Sequence, residues 1–65
     1  SVSVYKSSDN SIMVANAQGK SITVFNSLGN VVSTTRGIAG AQKVYTGAKG
    51  VYIVKVGSRT FKTSL

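Results

Sequence analysis

The chain is a succession of short runs in which apolar and polar residues alternate. Ser1-Val2-Ser3-Val4-Tyr5-Lys6 alternates polar and apolar residues with period two over most of its length, which predicts an edge-type strand. Residues 11–15 and 21–25 repeat the rhythm with Ile12/Val14 and Ile22/Val24, and residues 31–35, 42–46, 51–56 and 59–64 read as further strands. Between the runs lie turn formers: Ser7-Ser8-Asp9-Asn10, a glycine at 19 and at 29, the small residues of 36–41 and 47–50, and Gly57-Ser58. No stretch sustains a 3.6-residue apolar period. The pattern predicts an all-β antiparallel protein of seven strands at a spacing of about nine residues, a small sandwich or a partly open barrel.

One run organises the rest. Gly50-Val51-Tyr52-Ile53-Val54-Lys55-Val56 is dense in β-branched residues, whose stiff χ1 suits a pleated, packed surface. Val51 and Ile53 point one way; Tyr52, Val54 and Val56 point the other. A strand apolar on both faces is expected to be central and covered on both sides, with the Lys55 ammonium reaching water along its stem. Gly57-Ser58 then joins it to Arg59-Thr60-Phe61-Lys62-Thr63, and a two-residue Gly-Ser connection predicts a type II′ hairpin.

An internal similarity precedes it. Residues 11–19 and 21–29 share the pattern S-I-x-V-x-N-x-x-G, offset by ten residues. Each copy reads as a strand and a turn, the rhythm of an antiparallel meander, in which Gly19 and Gly29 hold positive φ and Asn16 and Asn26 cap the turns through their side chains. The segment Arg36-Gly37-Ile38-Ala39-Gly40-Ala41 is expected to be a mobile connection.

Composition narrows the function classes. At 65 residues the chain is one small domain, which buries only about 60% of its unfolded surface. It has no cysteine and no histidine, and Asp9 is its one acid. Paired-carboxylate catalysis, a histidine-oriented nucleophile and the usual metal ligands are therefore missing, so no enzymatic activity and no cofactor are expected. The net charge of +7 favours anionic partners, although cations spread along the whole chain read first as a solubility device. Five aromatics among lysines suggest a stacking platform, but most sit in strongly apolar runs, and nucleic acid is not an expected partner. The Gly47-Ala48-Lys49-Gly50 tetrad imitates an RNA-clamping loop but lies between strands, so a turn is expected there. No 18-residue apolar run spans a bilayer.

Two blocks together are distinctive. Ile22-Thr23-Val24-Phe25-Asn26-Ser27-Leu28-Gly29-Asn30-Val31-Val32 and Gly50-Val51-Tyr52-Ile53-Val54-Lys55-Val56, followed by Lys62, resemble in order and spacing the C-terminal sorting domains of the type IX (Por) secretion system of Bacteroidetes. The resemblance runs from about residue 12 to residue 62. It implies a seven-stranded immunoglobulin-like β-sandwich at the end of a larger exported protein, secreted or held at the outer cell surface after passing the periplasm. It also implies partners: an outer-membrane translocon, a sortase-like processing protein, and lipopolysaccharide as the anionic acceptor.

On that resemblance the closing hairpin carries recognition, through Gly50, Tyr52, Lys55, Arg59 and Lys62, while Gly19, Gly29 and Gly57 shape turns. A receptor can read an exposed edge strand by main-chain pairing, and residues 59–64 are the expected edge. The competing expectation is an adhesive β-domain that binds anionic glycans or another protein, favoured by the positive charge and exposed tyrosines.

Overall fold

A computed structural model describes all of residues 1–65. Its elements are β1 (Ser3–Lys6), β2 (Ser11–Ala15), β3 (Ser21–Phe25), β4 (Val31–Arg36), β5 (Ala41–Tyr45), β6 (Val51–Val56) and β7 (Arg59–Ser64), with no helix. They form two antiparallel sheets: three strands in the order β1-β2-β5, and four in the order β4-β3-β6-β7. One buried cluster joins the sheets. Ile12, Val14 and Val44 enter it from the first; Ile22, Val24, Tyr52, Val54 and Val56 enter from the second. The arrangement is sandwich-like, with alternate residues of each strand turned toward the partner sheet.

The internal similarity has a structural meaning other than a meander. The two copies do not pair: β2 bonds β1 and β5, whereas β3 bonds β4 and β6. The first copy therefore contributes Ile12 and Val14 to one wall of the core, and the second contributes Ile22 and Val24 to the opposite wall. All four are fully buried. Their glycines do adopt positive φ, +78° at Gly19 and +86° at Gly29. The asparagines diverge. Asn26 caps its turn, its side-chain oxygen accepting from the amides of Leu28 and Asn30 at 3.0 Å each. Asn16 takes up positive φ itself and donates its side-chain amide to the Ser1 carbonyl at 3.1 Å. The difference follows from the path: after Asn26 the chain folds back on its own sheet, and after Asn16 it crosses to the other.

That crossing is held by a second one. Residues 16–20 and 37–40 run side by side, bonded from the Gly37 amide to the Lys20 carbonyl (2.8 Å), Gly19 to Gly37 (3.2 Å) and Asn16 to Gly40 (3.0 Å). The approach is so close that a Cβ on Gly37 would lie 1.7 Å from the Ala17 carbonyl oxygen. Gln42 ties the same segment from the side, accepting from the Ile38 amide at 2.7 Å and donating to the Arg36 carbonyl at 3.1 Å. The connection expected to be mobile is thus a pinned crossover, with Arg36 and Ala41 already inside β4 and β5.

Strand β6 is interior, between β3 and β7. It is covered on one face only: Tyr52, Val54 and Val56 are buried, Ile53 is half-buried, and Val51 and Lys55 are exposed. The two-sided burial read from the sequence is corrected here. A chain this short builds two layers, which leaves the outer face of each sheet to solvent.

Candidate functional site: the closing hairpin

The β6–β7 hairpin holds the sequence block singled out above, so its geometry decides what a partner could meet. Gly57 has φ +58°, and Ser58 keeps negative φ, which is the type II′ combination. The aliphatic stem of Lys20 lies alongside Gly57, 3.5 Å from where a Cβ would stand, and the Gly57 amide bonds the Ser21 carbonyl at 3.0 Å. At the other end Gly50 and Leu65 exchange both main-chain hydrogen bonds, at 3.4 and 2.8 Å.

Those closures set the register of everything between. The pairs Val56↔Arg59, Val54↔Phe61, Tyr52↔Thr63 and Gly50↔Leu65 are the hydrogen-bonded kind, so their main-chain groups face β6. At the alternate positions Thr60, Lys62 and Ser64, the amide and carbonyl of β7 point away from β6, along an edge that no strand covers. β1 runs near this edge but belongs to the other sheet and has no ladder with β7.

The five predicted site residues fall into different environments. Lys55 and Lys62 both project from the outer face of the four-stranded sheet, beside Thr23, Thr60 and Ile53 in the register. Arg59 lies on the inward-facing side of β7 yet stays exposed, with its guanidinium carbon 5.2 Å from the centre of the Phe61 ring. Tyr52 is only 5% exposed and its hydroxyl donates to the Ala48 carbonyl at 2.8 Å. Gly50, at φ +148°, abuts the Tyr52 ring, 3.9 Å from where a Cβ would stand. The structure brings Lys55, Lys62 and the free edge together; Tyr52 and Gly50 instead fix the entry into β6.

Charge is divided between the sheets. Asp9 lies at the end of the three-stranded sheet, where it accepts from the Ser11 hydroxyl and pairs with Lys43 at 3.1 Å. The Ser11 hydrogen bond and then the Lys43 ammonium hold its carboxyl down at about 2. The four-stranded sheet contains Arg36, Lys55, Arg59 and Lys62 and no acid at all.

One surface feature escaped the sequence reading. Val31, Phe25, Ile53 and Lys62 stand in one row straight across the outer face of the four-stranded sheet. Val31 is 59% exposed, and Phe25 and Ile53 are half-buried. The alternation of β3 placed Phe25 opposite in phase to Ile22 and Val24, which was the signal available for its outward direction. No cavity opens anywhere on the surface.

No curated protein and no solved structure gives a significant match to the chain. A family profile does, over residues 1–64, and it is described as a domain of unknown function, DUF6383. The hairpin, the crossovers and both walls of the core all lie within that span, and the chain belongs to the DUF6383 family.

Proposed function

We propose that this domain is a non-catalytic sorting or anchoring module, a folded tag read by type IX secretion machinery for export and surface attachment of a cargo joined to it. The observation that carries the proposal is the β7 edge: unpaired main-chain groups at Thr60, Lys62 and Ser64, on the hairpin that contains the family-like Gly50-x-Tyr52 block and Lys62. A strand edge of this kind gives a receptor affinity through main-chain hydrogen bonds and specificity through alternate side chains.

An immunoglobulin-like reading of the sandwich agrees with this role. The order β1-β2-β5 against β4-β3-β6-β7 corresponds to A-B-E against C′-C-F-G, the fourth strand joining the third as C′ joins C. Tyr52 near the start of β6, bonded to the main chain four residues upstream, matches the tyrosine corner at the start of strand F.

The test is a fusion of residues 1–65 behind a periplasmic reporter, in a host with and without the translocon. The proposal expects surface export that needs the translocon and is lost when the β7 edge is disabled. Export that ignores the hairpin contradicts it. The second reading, glycan adhesion, rests on Tyr5 and Tyr45, which are 49% and 66% exposed on the outer face of the three-stranded sheet beside Lys43. That reading expects no export, with salt-sensitive binding to anionic glycans that falls when either tyrosine becomes alanine.

A further inference from the structure

Of the strand edges in the molecule, one is long, regular and uncompensated in charge. β1 has four residues; β4 meets β3 through an irregular register between Val24 and Phe25; β5 has Lys43 engaged by Asp9 and Gln42 turned back on the chain. β7 keeps register with β6 through all six of its residues.

We propose that the β7 edge accepts an extended, acidic protein segment of alternating acidic and apolar residues, with an acid directly opposite Lys62. This deepens, and rests on, the reading of the hairpin as a recognition element. The pattern follows from phase. Side chains at Thr60, Lys62 and Ser64 point to the outer face, and these same residues offer the free amides and carbonyls. A residue placed opposite Lys62 in an added strand therefore shares its face, within the 4.5–5.5 Å Cβ separation of a cross-strand pair, which is roughly the reach of an ion pair. The residues on either side of it turn inward, beside half-buried Phe61 and Thr63, where apolar side chains extend the core past its present rim.

Charge selects the occupant. β7 has Arg59 and Lys62, its neighbour has Lys55, and the one acid of the chain is committed to Lys43 in the other sheet. A second copy of this chain, pairing edge to edge about Lys62, would set lysine against lysine, which is destabilising. An acidic strand meets no such opposition.

The probe is a blocked heptapeptide alternating glutamate with valine, compared with its lysine–valine counterpart and with a peptide of the same composition whose glutamates are segregated. Amide exchange and affinity are measured on the 1–65 domain at low salt. The glutamate peptide is expected to bind roughly fivefold more tightly than the lysine peptide and to slow exchange at Thr60, Lys62 and Ser64. Lys62→Glu is expected to invert the preference. Lys62→Pro, which deletes one outward amide at an edge position that tolerates proline, is expected to abolish binding in a domain that remains folded. Lys62→Ala retains binding but loses the charge preference.

Equal binding of the three peptides overturns the proposal, as does protection at other amides. So does a heparin oligosaccharide or an anionic lipid vesicle that protects these amides while the peptide does not. Hairpin-dependent export without acidic-peptide preference overturns this partner chemistry alone; peptide binding with hairpin-independent export overturns the sorting role alone.

Discussion

The Tyr52 hydroxyl reaches back to donate to the Ala48 carbonyl at 2.8 Å, so a core side chain clamps the loop that delivers the chain from one sheet to the other. Two jobs meet in one residue. Its ring fills the core beside Val54 and Val56, and its polar tip fixes the corner that sets where β6 begins.

Removing only the hydroxyl separates those jobs. Tyr52→Phe keeps the ring and is expected to cost about 1 kcal/mol, lowering Tm by roughly 4–8 °C in a domain of this size. Thermal unfolding followed by circular dichroism checks it. No change in Tm would show that the corner is held by other contacts.

The crossing of residues 16–20 and 37–40 makes a steric forecast. Gly37→Ala drives a Cβ into the backbone of Ala17 and is expected to cost more than about 3 kcal/mol, toward the severe end for single substitutions. Gly47→Ala meets open space and only the strain of φ +82°, so it is expected to cost about 1 kcal/mol. Urea denaturation of the two variants gives the comparison. Equal costs would mean that the crossover is looser than its hydrogen bonds imply.

The paired repeats predict symmetric sensitivity. Ile12→Ala and Ile22→Ala empty facing walls of the same core and are each expected to cost about 2–5 kcal/mol. A domain of this length has about 3–10 kcal/mol in total at ~0.05–0.15 kcal/mol per residue, so either variant approaches unfolding. Val31→Ala, on the outer face, is expected to stay within about 0.5 kcal/mol.

Acid sensitivity belongs to one residue. Asp9 titrates at about 2 when folded, below its ordinary 3.8, because the Ser11 hydroxyl and the Lys43 ammonium favour its charged form. A carboxyl lowered by folding contributes stability that is complete above the unfolded value and lost as pH falls from there toward 2. Lys43, raised by the hydrogen bond to Asp9 and by its charge, contributes below the unfolded lysine value and loses that contribution as pH rises through its folded one. Asp9→Asn is therefore expected to flatten the acid limb of a Tm-against-pH curve and to leave the pH 5–8 region sloped as before. An unchanged acid limb would contradict this assignment.

The alternation of small runs was enough to place every strand within about two residues, and Gly57-Ser58 was enough to name the hairpin. Those features are local: side-chain period and turn chemistry act within a few residues. Which sheet each strand joins was not legible, because the Ile-x-Val copies look the same whether they pair with each other or face each other across a core. That choice is made by the crossovers, above all through the absence of a side chain at Gly37, which matters only because of Ala17, a residue distant in sequence. The site divides the same way. The burial of Tyr52 was legible from its shared phase with Val54 and Val56, whereas the exposure of Val51 and the outward row of Val31, Phe25 and Ile53 required knowing that the fold has only two layers.

The sorting role depends on β7 presenting an open edge, and amide hydrogen exchange on the free domain reads that edge directly. Phe61 and Thr63, whose amides face β6, are expected to be protected, and Thr60, Lys62 and Ser64 to exchange close to the rate of an unfolded chain. Uniform protection along residues 59–64 would mean that the edge is already covered, which would contradict the reading of the closing hairpin as a recognition element.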